Sequence, residues 1–483
     1  MGDDVKELDA VIIGSGPNGL AAAVALARAG AAVRVLERND SIGGGTRTAA
    51  LTLPGFAHDV CSAVHPMGVL SPFFRTLPLE EHGLRWIRPQ ASVAHPLADE
   101  PAVILRRSLD ETAAGLEEDE QAYRRLIGPL LSDPQGLLAD ALAPLGIPKH
   151  PLAMLRFGWR GWRSAESLAQ RFHGERARAL LAGCAGHSIL PFDRPLTGAF
   201  GLMFLLTAHV EDWPVAEGGS QAIAEALAGL LKSLGGQIET GINVRSPADL
   251  PPARVYLFDT SPAQLAPIAG TVLPAGYLNR LRKFRYGPGV FKLDWALSGS
   301  IPWRDPKCLT ASTVHVGGTF EEIAAAEAAV WGGQHPKRPF VLVCQQSEFD
   351  ASRAPAGKQT GWAYCHVPAG STRDMTEAVE LQIERFAPGF RGRILARHAM
   401  SPAELERYNP NYIGGAITGG VADLWQLFTR PVARWNPYTT PNPRVLICSA
   451  STPPGGGVHG MCGYHAAQTA LARLPQLPFG PLA

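Results

Sequence analysis

The segment DAVIIGSGPNGLAAAVALARAGAAVRVLERN, residues 9–39, constrains this chain more than any other. It reads strand, tight turn, helix, strand. Ala10–Ile13 is a short buried strand, and Gly14, Gly16 and Gly19 follow at G-x-G-x-x-G spacing. A run of small residues then carries a helix to Gly30. In this pattern Gly14 permits the turn, Gly16 lets backbone approach a pyrophosphate, and Gly19 lets the helix pack on the sheet. The free amides at the helix start face the phosphates. The second strand, AVRVLE, ends in Glu37. An acid there accepts hydrogen bonds from adenosine ribose hydroxyls and repels a 2′-phosphate, which disfavours NADP. The expectation is a dinucleotide site framed by Gly14, Gly16, Pro17, Asn18, Gly19, Glu37 and Arg38.

The same glycine spacing recurs at Gly455, Gly457 and Gly460, between the apolar run Val445–Ala450 and an Ala-rich helical run. A second Rossmann unit would need another strand ending in an acid. After Leu471 the chain offers only ARLPQLPFGPLA, which is short, Pro-rich and without an acid. The far end is therefore expected to complete the site that the beginning starts.

The segment RNDSIGGGTRT follows Glu37 at once. Gly43, Gly44 and Gly45 allow a second close approach of backbone, and Arg47 can supply charge to a pyrophosphate. This resembles the double-glycine segment of FAD enzymes of the amine oxidase and phytoene desaturase superfamily. The resemblance continues through EGGSQAIAEAL, GPGVFKLDWAL and PPGGGVHG, over nearly the whole chain. It comes nearest to a branch labelled pyridine nucleotide-disulfide oxidoreductase, a label at odds with the lack of C-x-x-C and of a second Rossmann unit.

The resemblance implies FAD as cofactor and no NAD(P) site. It implies an α/β fold: a discontinuous Rossmann-type FAD-binding domain with an inserted α+β substrate domain. The FAD-binding domain is expected over residues 1–80, 211–284 and 426–483, and the substrate domain over 81–210 and 285–425. By resemblance, the backbone of Val244 meets the adenine. The closing strand and loop, with Ser449, Gly457, Val458, His459, Gly460 and Met461, enter beside the isoalloxazine. Related amine oxidases place a strand lysine against flavin N5 through water, the position that Lys292 would take.

Between these motifs, Ile223, Leu227, Leu230, Leu231 and Leu234 give the period of an amphipathic helix, with Ser220 as N-cap and Gly235 as stop. A strand ending near Val244 is expected next. Carotene desaturases usually carry a β-meander after this point. Here only RSPADLPPA precedes the next strand, so a truncated or missing meander is expected. Helical patterning runs from Ser164 to Ala185. VFKLDWAL alternates as a strand, with Lys292 and Asp294 on one face, and strand patterns recur at FVLVCQQ and TGWAYCHV.

His459 has the pKa range of a proton acceptor, and the alternative is a hydrogen bond to flavin or backbone. Lys292 could act at the flavin or pair with Asp294 or Asp259. No cluster of residues has metal-ligand spacing, so no metal is expected. The formal net charge of +1 gives no basic face for nucleic acid. The seven cysteines are scattered, and the acidic N-terminus MGDDVKELDA is unlike a signal peptide. A reducing, cytoplasmic setting is expected. The apolar run Leu196–Ala208 is too short to span a bilayer. Core or pocket is its preferred place, with peripheral membrane contact the lesser reading.

The partner expected is a small apolar substrate, with no oligomeric state implied. Three functions share these motifs: an FAD-dependent dehydrogenase or oxidase of an apolar, isoprenoid-type substrate, working by hydride transfer to flavin; a redox-neutral C=C isomerase; and a flavoprotein with a binding or regulatory role.

Overall fold

The computed structural model describes residues 7–482. Two sheets organise it. In chain order their strands are β1 (Leu8–Ile13), β2 (Val33–Leu36), β3 (Ala91–His95), β4 (Val103–Leu105), β5 (Gln237–Glu239) and β6 (Ala253–Phe258). Then come β7 (Gly289–Leu297), β8 (Ala311–Val316), β9 (Val341–Cys344), β10 (Gln359–Val367), β11 (Ile394–Met400) and β12 (Val445–Ile447). Six helices matter below: α1 (Pro17–Arg28), α2 (Pro151–Gly161), α3 (Glu175–Gly186), α4 (Thr197–Glu211), α5 (Gln221–Ser233) and α6 (Met461–Leu471).

The first sheet is parallel throughout, in the order β12-β6-β1-β2-β5. Its inner strands are rich in Val, Ile and Leu, because helices or loops cover both faces, while the edge strand β5 (QIE) is partly exposed. Helices α1, α5 and α6 share one apolar cluster with this sheet. From β1 the chain steps to β2 on one side and returns as β6 on the other. The carboxyl end of β1 is thus a topological switch point, where open α/β sheets bind ligands.

The second sheet runs β11-β7-β10-β9-β8-β3-β4, antiparallel except for the β3–β8 pair. Helix α3 lies close on it because Gly183 and Gly186 carry no side chain. A Cβ on either would stand 2.4 Å from His315 or Phe340. The α/β class, with a Rossmann-type sheet joined to a mixed α+β portion, is the one expected.

Three local expectations are corrected. The strand after α5 ends at Glu239, not near Val244. Gly241 turns at φ +73° and the Ile242 N–H donates to the Glu37 carbonyl, so Val244 lies in a loop across the end of β2. Ser220 does not cap α5 with its side chain; its hydroxyl donates to the Ser62 carbonyl at 2.7 Å. The helix expected over Ser164–Ala185 is two helices. Asp119 accepts the His173 and Gly174 N–H groups at 2.9 and 2.7 Å and holds the break. Residues 240–252 contain one 3₁₀ turn and no strand, so no meander is present there. The run Leu196–Ala208 lies mostly in α4, a largely buried helix. No helix among the described residues is long and apolar enough to cross a membrane.

Candidate functional site

A cavity of about 410 Å³ opens at the carboxyl end of β1 and extends to the second sheet. Its first wall is bare backbone. Gly14 holds φ +104°, and a Cβ there would stand 2.9 Å from the Asp259 carbonyl. A Cβ on Gly16 would stand 2.6 Å from the Asp259 carboxylate, and one on Gly19 2.1 Å from the Gly14 carbonyl. Only glycine fits these positions. The second glycine segment closes on the first: a Cβ on Gly44 would stand 3.0 Å from the Gly16 Cα.

Glu37 locks this wall. Its buried carboxylate accepts from the Ser15 N–H (3.0 Å), the Ser15 hydroxyl (2.6 Å), the Asn39 N–H (2.9 Å), the Asn39 side-chain amide (3.0 Å) and Arg47 (3.1 Å). Burial alone would raise its pKa. The Ser15 hydroxyl, the Asn39 and Ser15 amides and Arg47 outweigh burial and hold it below the usual carboxylate range. Glu37 therefore ties the loop to β2 besides lining the cavity, a role its motif position does not reveal. Arg47 lines the cavity and is held in place from three sides. It is engaged by Glu37, donates to the Ser41 carbonyl at 3.1 Å and covers the Tyr408 ring at 5.5 Å.

The C-terminal glycine motif packs on the N-terminal one. A Cβ on Gly463 of α6 would stand 1.8 Å from the Asn18 carbonyl, so the two helices touch backbone to backbone. Ser449, Gly457 and Val458 reach the cavity wall, as do Pro17, Asn18, Arg38, Gly45 and Val244. Gly19, Gly460 and Met461 stand behind it: Gly19 donates to Asp259, Gly460 turns the chain at φ +67°, and Met461 starts α6.

His459 is a correction. The cavity wall runs through Gly456, Gly457 and Val458 and leaves its ring out. The ring is buried within its own loop, where Nδ1 accepts the Met461 N–H at 3.0 Å. The other edge faces the Gly455 and Gly456 carbonyls, and burial pushes its pKa down to about 4. Ser71 fastens the same loop by donating to the His459 carbonyl at 2.6 Å. These bonds match the alternative given for His459 above, a hydrogen bond to backbone.

Lys292 is also withdrawn from the wall. It forms a buried ion pair with Asp294, two residues along the same face of β7. Its ammonium lies 5.3 Å from the centroid of the Trp362 ring, and Trp362 is the residue that lines the cavity. Burial raises the Asp294 carboxyl to about 6, against the pull of Lys292.

Several wall residues belong to no motif. Asp259, at the end of β6, accepts the Gly19 N–H at 2.9 Å, and burial raises its carboxyl to about 8. The signal that could have found it is an acid closing the strand beside the glycine loop. His65 is held by Ser220: the Ser220 hydroxyl donates to Ser62 and so accepts the His65 Nε2–H at 2.8 Å. Its Nδ1 is buried without a partner, and burial lowers its pKa to about 4. At the far end His187 stacks on Phe204 at 4.2 Å, meets Trp213 edge-on and shares a 3.1 Å Nε2–Nε2 hydrogen bond with His315. Burial lowers the His187 pKa to about 3, so it acts as a neutral hydrogen-bonding group.

The wall changes character along its length. Its charged residues, Glu37, Arg38, Arg47 and Asp259, all belong to the segments that carry the first sheet. The second sheet and its helices contribute His187, Phe204, Trp213, Thr313, Leu342, Cys344, Trp362 and Tyr364, none of them an acid, lysine or arginine. Trp362 and Tyr364 meet edge to face at 5.2 Å. Among the described residues no group of His, Cys, Asp and Glu could hold a metal ion.

The cradle fits FAD. Asn18 Oδ1 and the Thr260 hydroxyl are buried without hydrogen-bond partners, and both residues line the cavity beside the bare glycine backbone. Such groups call for a polar ligand.

Residues 12–77 match the family model of an NAD(P)-binding Rossmann-like domain. Over 98% of its length the chain is 27% identical to pyridine nucleotide-disulfide oxidoreductase domain-containing protein 2 of Mus musculus, spanning 94% of that protein. A shorter stretch, 26% of this chain and 23% of the relative, is 32% identical to a limonene dehydrogenase subunit of Castellaniella defragrans. Among solved structures a putrescine oxidase variant matches 97% of this chain and 99% of its own, with a TM-score of 0.60 and 17% identity. The chain thus has the amine oxidase fold around a dinucleotide-binding domain.

Proposed function

We propose that this chain is an FAD-dependent oxidoreductase that acts on an apolar, uncharged substrate, with hydride transfer to the flavin. The observation that carries this reading is the two-part wall: a polar glycine cradle at one end, and at the other an aromatic chamber without an ionised side chain. FAD bound in the cradle would take up both hydrogens of the desaturated bond, one as hydride and one as a proton, becoming FADH2. Gly14, Gly16, Asn18, Gly44 and Val244 would hold it, with Glu37 fixing the loop and Ser449, Gly457 and Val458 bordering the junction with the chamber.

The chamber selects by desolvation. A cationic amine placed among Phe204, Trp213, Leu342, Trp362 and Tyr364 would lose water without gaining a carboxylate partner. A hydrocarbon gains from the same burial, by roughly 25 cal/mol per Å² of apolar surface. The aromatic walls also exclude water from the reacting bond. The name of the limonene dehydrogenase relative supports an isoprenoid substrate among apolar ones, through a match to a quarter of the chain.

Anaerobic mixing tests the reading. Protein with bound FAD is combined with a panel of monoterpenes and longer isoprenoid hydrocarbons, and with primary amines. Bleaching of the flavin by a hydrocarbon, with a desaturated product, is the expected result. Bleaching by amines alone would contradict it, and conversion without net bleaching would favour a C=C isomerase instead.

A further inference from the structure

Helix α2 carries two apolar stripes where a surface helix needs one. Ala153, Phe157 and Gly161 are buried at i, i+4 and i+8. Gly161 packs on α4, where a Cβ would stand 3.1 Å from Ala199. The second stripe faces water: Leu152 is 68% exposed, Leu155 65%, Trp159 71% and Trp162 55%. At 3.6 residues per turn these four fall within an arc of about 80°. Ile147, in the loop before the helix, is 97% exposed. With the first stripe buried, the second is left uncovered among the described residues.

The segment that carries this stripe has charge of one sign, with Asp140 the nearest acid before it, bonded to the Lys149 and His150 N–H groups. From Leu142 to Ser164 the sequence contains Lys149, Arg156, Arg160 and Arg163 and not one acid, in a chain whose formal net charge is only +1. On the helical wheel Arg156 and Arg160 lie between the exposed stripe and the buried one, and Lys149 and Arg163 stand in the chain just before and just after the helix. They would flank the apolar face when it is laid on a surface. Neighbouring arginines already push the Arg160 guanidinium pKa down, after burial itself.

We propose that α2 lies in the headgroup boundary of an anionic lipid bilayer, with Leu152, Leu155, Trp159 and Trp162 inserted and Lys149, Arg156, Arg160 and Arg163 against lipid phosphates. Apolar residues and tryptophan on one face with arginine beside them is the composition of an interfacial helix. A second copy of the chain fits less well. A two-fold contact would set the same patch on itself and bring like charges together. Helix α4 connects the two regions, since it packs on α2 and its Phe204 lines the cavity. The proposal stands on the helix alone and holds whatever the cavity binds.

Vesicle flotation tests it with the full chain. Wild type is expected to float with phosphatidylcholine vesicles containing phosphatidylglycerol, and to bind pure phosphatidylcholine at least tenfold more weakly. L155E/W159E is expected to lose at least tenfold in binding to the anionic vesicles while its thermal midpoint stays unchanged. W159S/W162S, which adds no charge, should lose binding in the same direction and supplies the test if the first variant misfolds. Failure of wild type to float with anionic vesicles would overturn the proposal, as would equal binding by the variants or by the uncharged lipid. A concentration-dependent dimer that L155E/W159E dissolves, without vesicle binding, would assign the stripe to a second copy instead.

Discussion

The Asp259 carboxylate accepts the Gly19 N–H at 2.9 Å, across 240 residues of chain. One end of this contact is the last glycine of the N-terminal loop, and the other is the end of β6. It puts an acid at the N-terminus of α1, where a dinucleotide would bring its phosphates. Burial chiefly, and Glu37 secondarily, raise that acid to about 8. A protonated acid donates to phosphate, whereas an ionised one repels it.

A pH dependence follows from this position. The unfolded carboxyl titrates near 3.9, so between about pH 4 and pH 8 the folded protein holds a proton that the unfolded chain has released. Stability then falls as pH rises through that window. FAD retention is expected to weaken as pH passes about 8. Asp259→Asn, which keeps the acceptor for Gly19 and cannot ionise, should flatten both trends. Thermal midpoints and FAD fluorescence from pH 5 to pH 9 check this; parallel slopes in wild type and variant would contradict it.

Glu37→Ala removes five acceptor contacts and leaves Arg47 without its carboxylate. Hydrogen bonds to charged groups contribute about 1.5–3 kcal/mol each. FAD affinity is expected to fall at least tenfold, as read by release on dialysis. Retention equal to wild type would show that the loop keeps its shape unaided.

His459→Ala separates a strut from a base. Loss of a general base lowers turnover by about 10²–10⁴ with the cofactor in place. The buried Nδ1 contact to Met461 predicts the other pattern: looser FAD, a lower thermal midpoint, and a less than tenfold change in the chemical step measured by single-turnover flavin bleaching. A large single-turnover loss with FAD fully bound would restore the catalytic reading.

Lys292→Met leaves Asp294 buried without its ammonium. Removing one partner of such a pair costs about 3–5 kcal/mol, while replacing both by apolar residues is close to neutral. Denaturant unfolding should show Lys292→Met strongly destabilised and Lys292→Met/Asp294→Leu largely recovered. A stable single variant with abolished turnover would place Lys292 in the chemistry instead.

His187 is one of the polar points in the aromatic end of the chamber that a substrate oxygen could meet, with Thr313, Trp362 and Tyr364. His187→Phe is expected to weaken binding of an apolar alcohol or ketone by roughly threefold to tenfold and to leave hydrocarbon binding unchanged. Dissociation constants for a matched alcohol and hydrocarbon pair decide it; equal losses for both would mean that the ring acts by packing alone.

Much of the fold was legible because its signals are local. GSGPNG and Glu37 lie within 24 consecutive residues, Gly14 to Glu37, directly after their strand, and each restricts its own backbone. The expected packing of the second glycine motif on the first is seen where a Cβ on Gly463 would stand 1.8 Å from the Asn18 carbonyl. Side-chain direction was not legible. The His459 ring turns inward because the Met461 N–H and the Gly455 and Gly456 carbonyls meet it there. Asp259 stood outside every motif because its partner, Gly19, is set by the pairing of β6 with β1. The strand expected to reach Val244 stops five residues early, where Ile242 bonds the backbone of Glu37.

Cofactor content tests the central claim most directly. Protein purified without added flavin is denatured with acid and the supernatant chromatographed against FAD, FMN and nicotinamide nucleotides. Close to one FAD per chain and no bound NAD(P) are expected. A colourless protein whose thermal midpoint rises with NADH and not with FAD would contradict it.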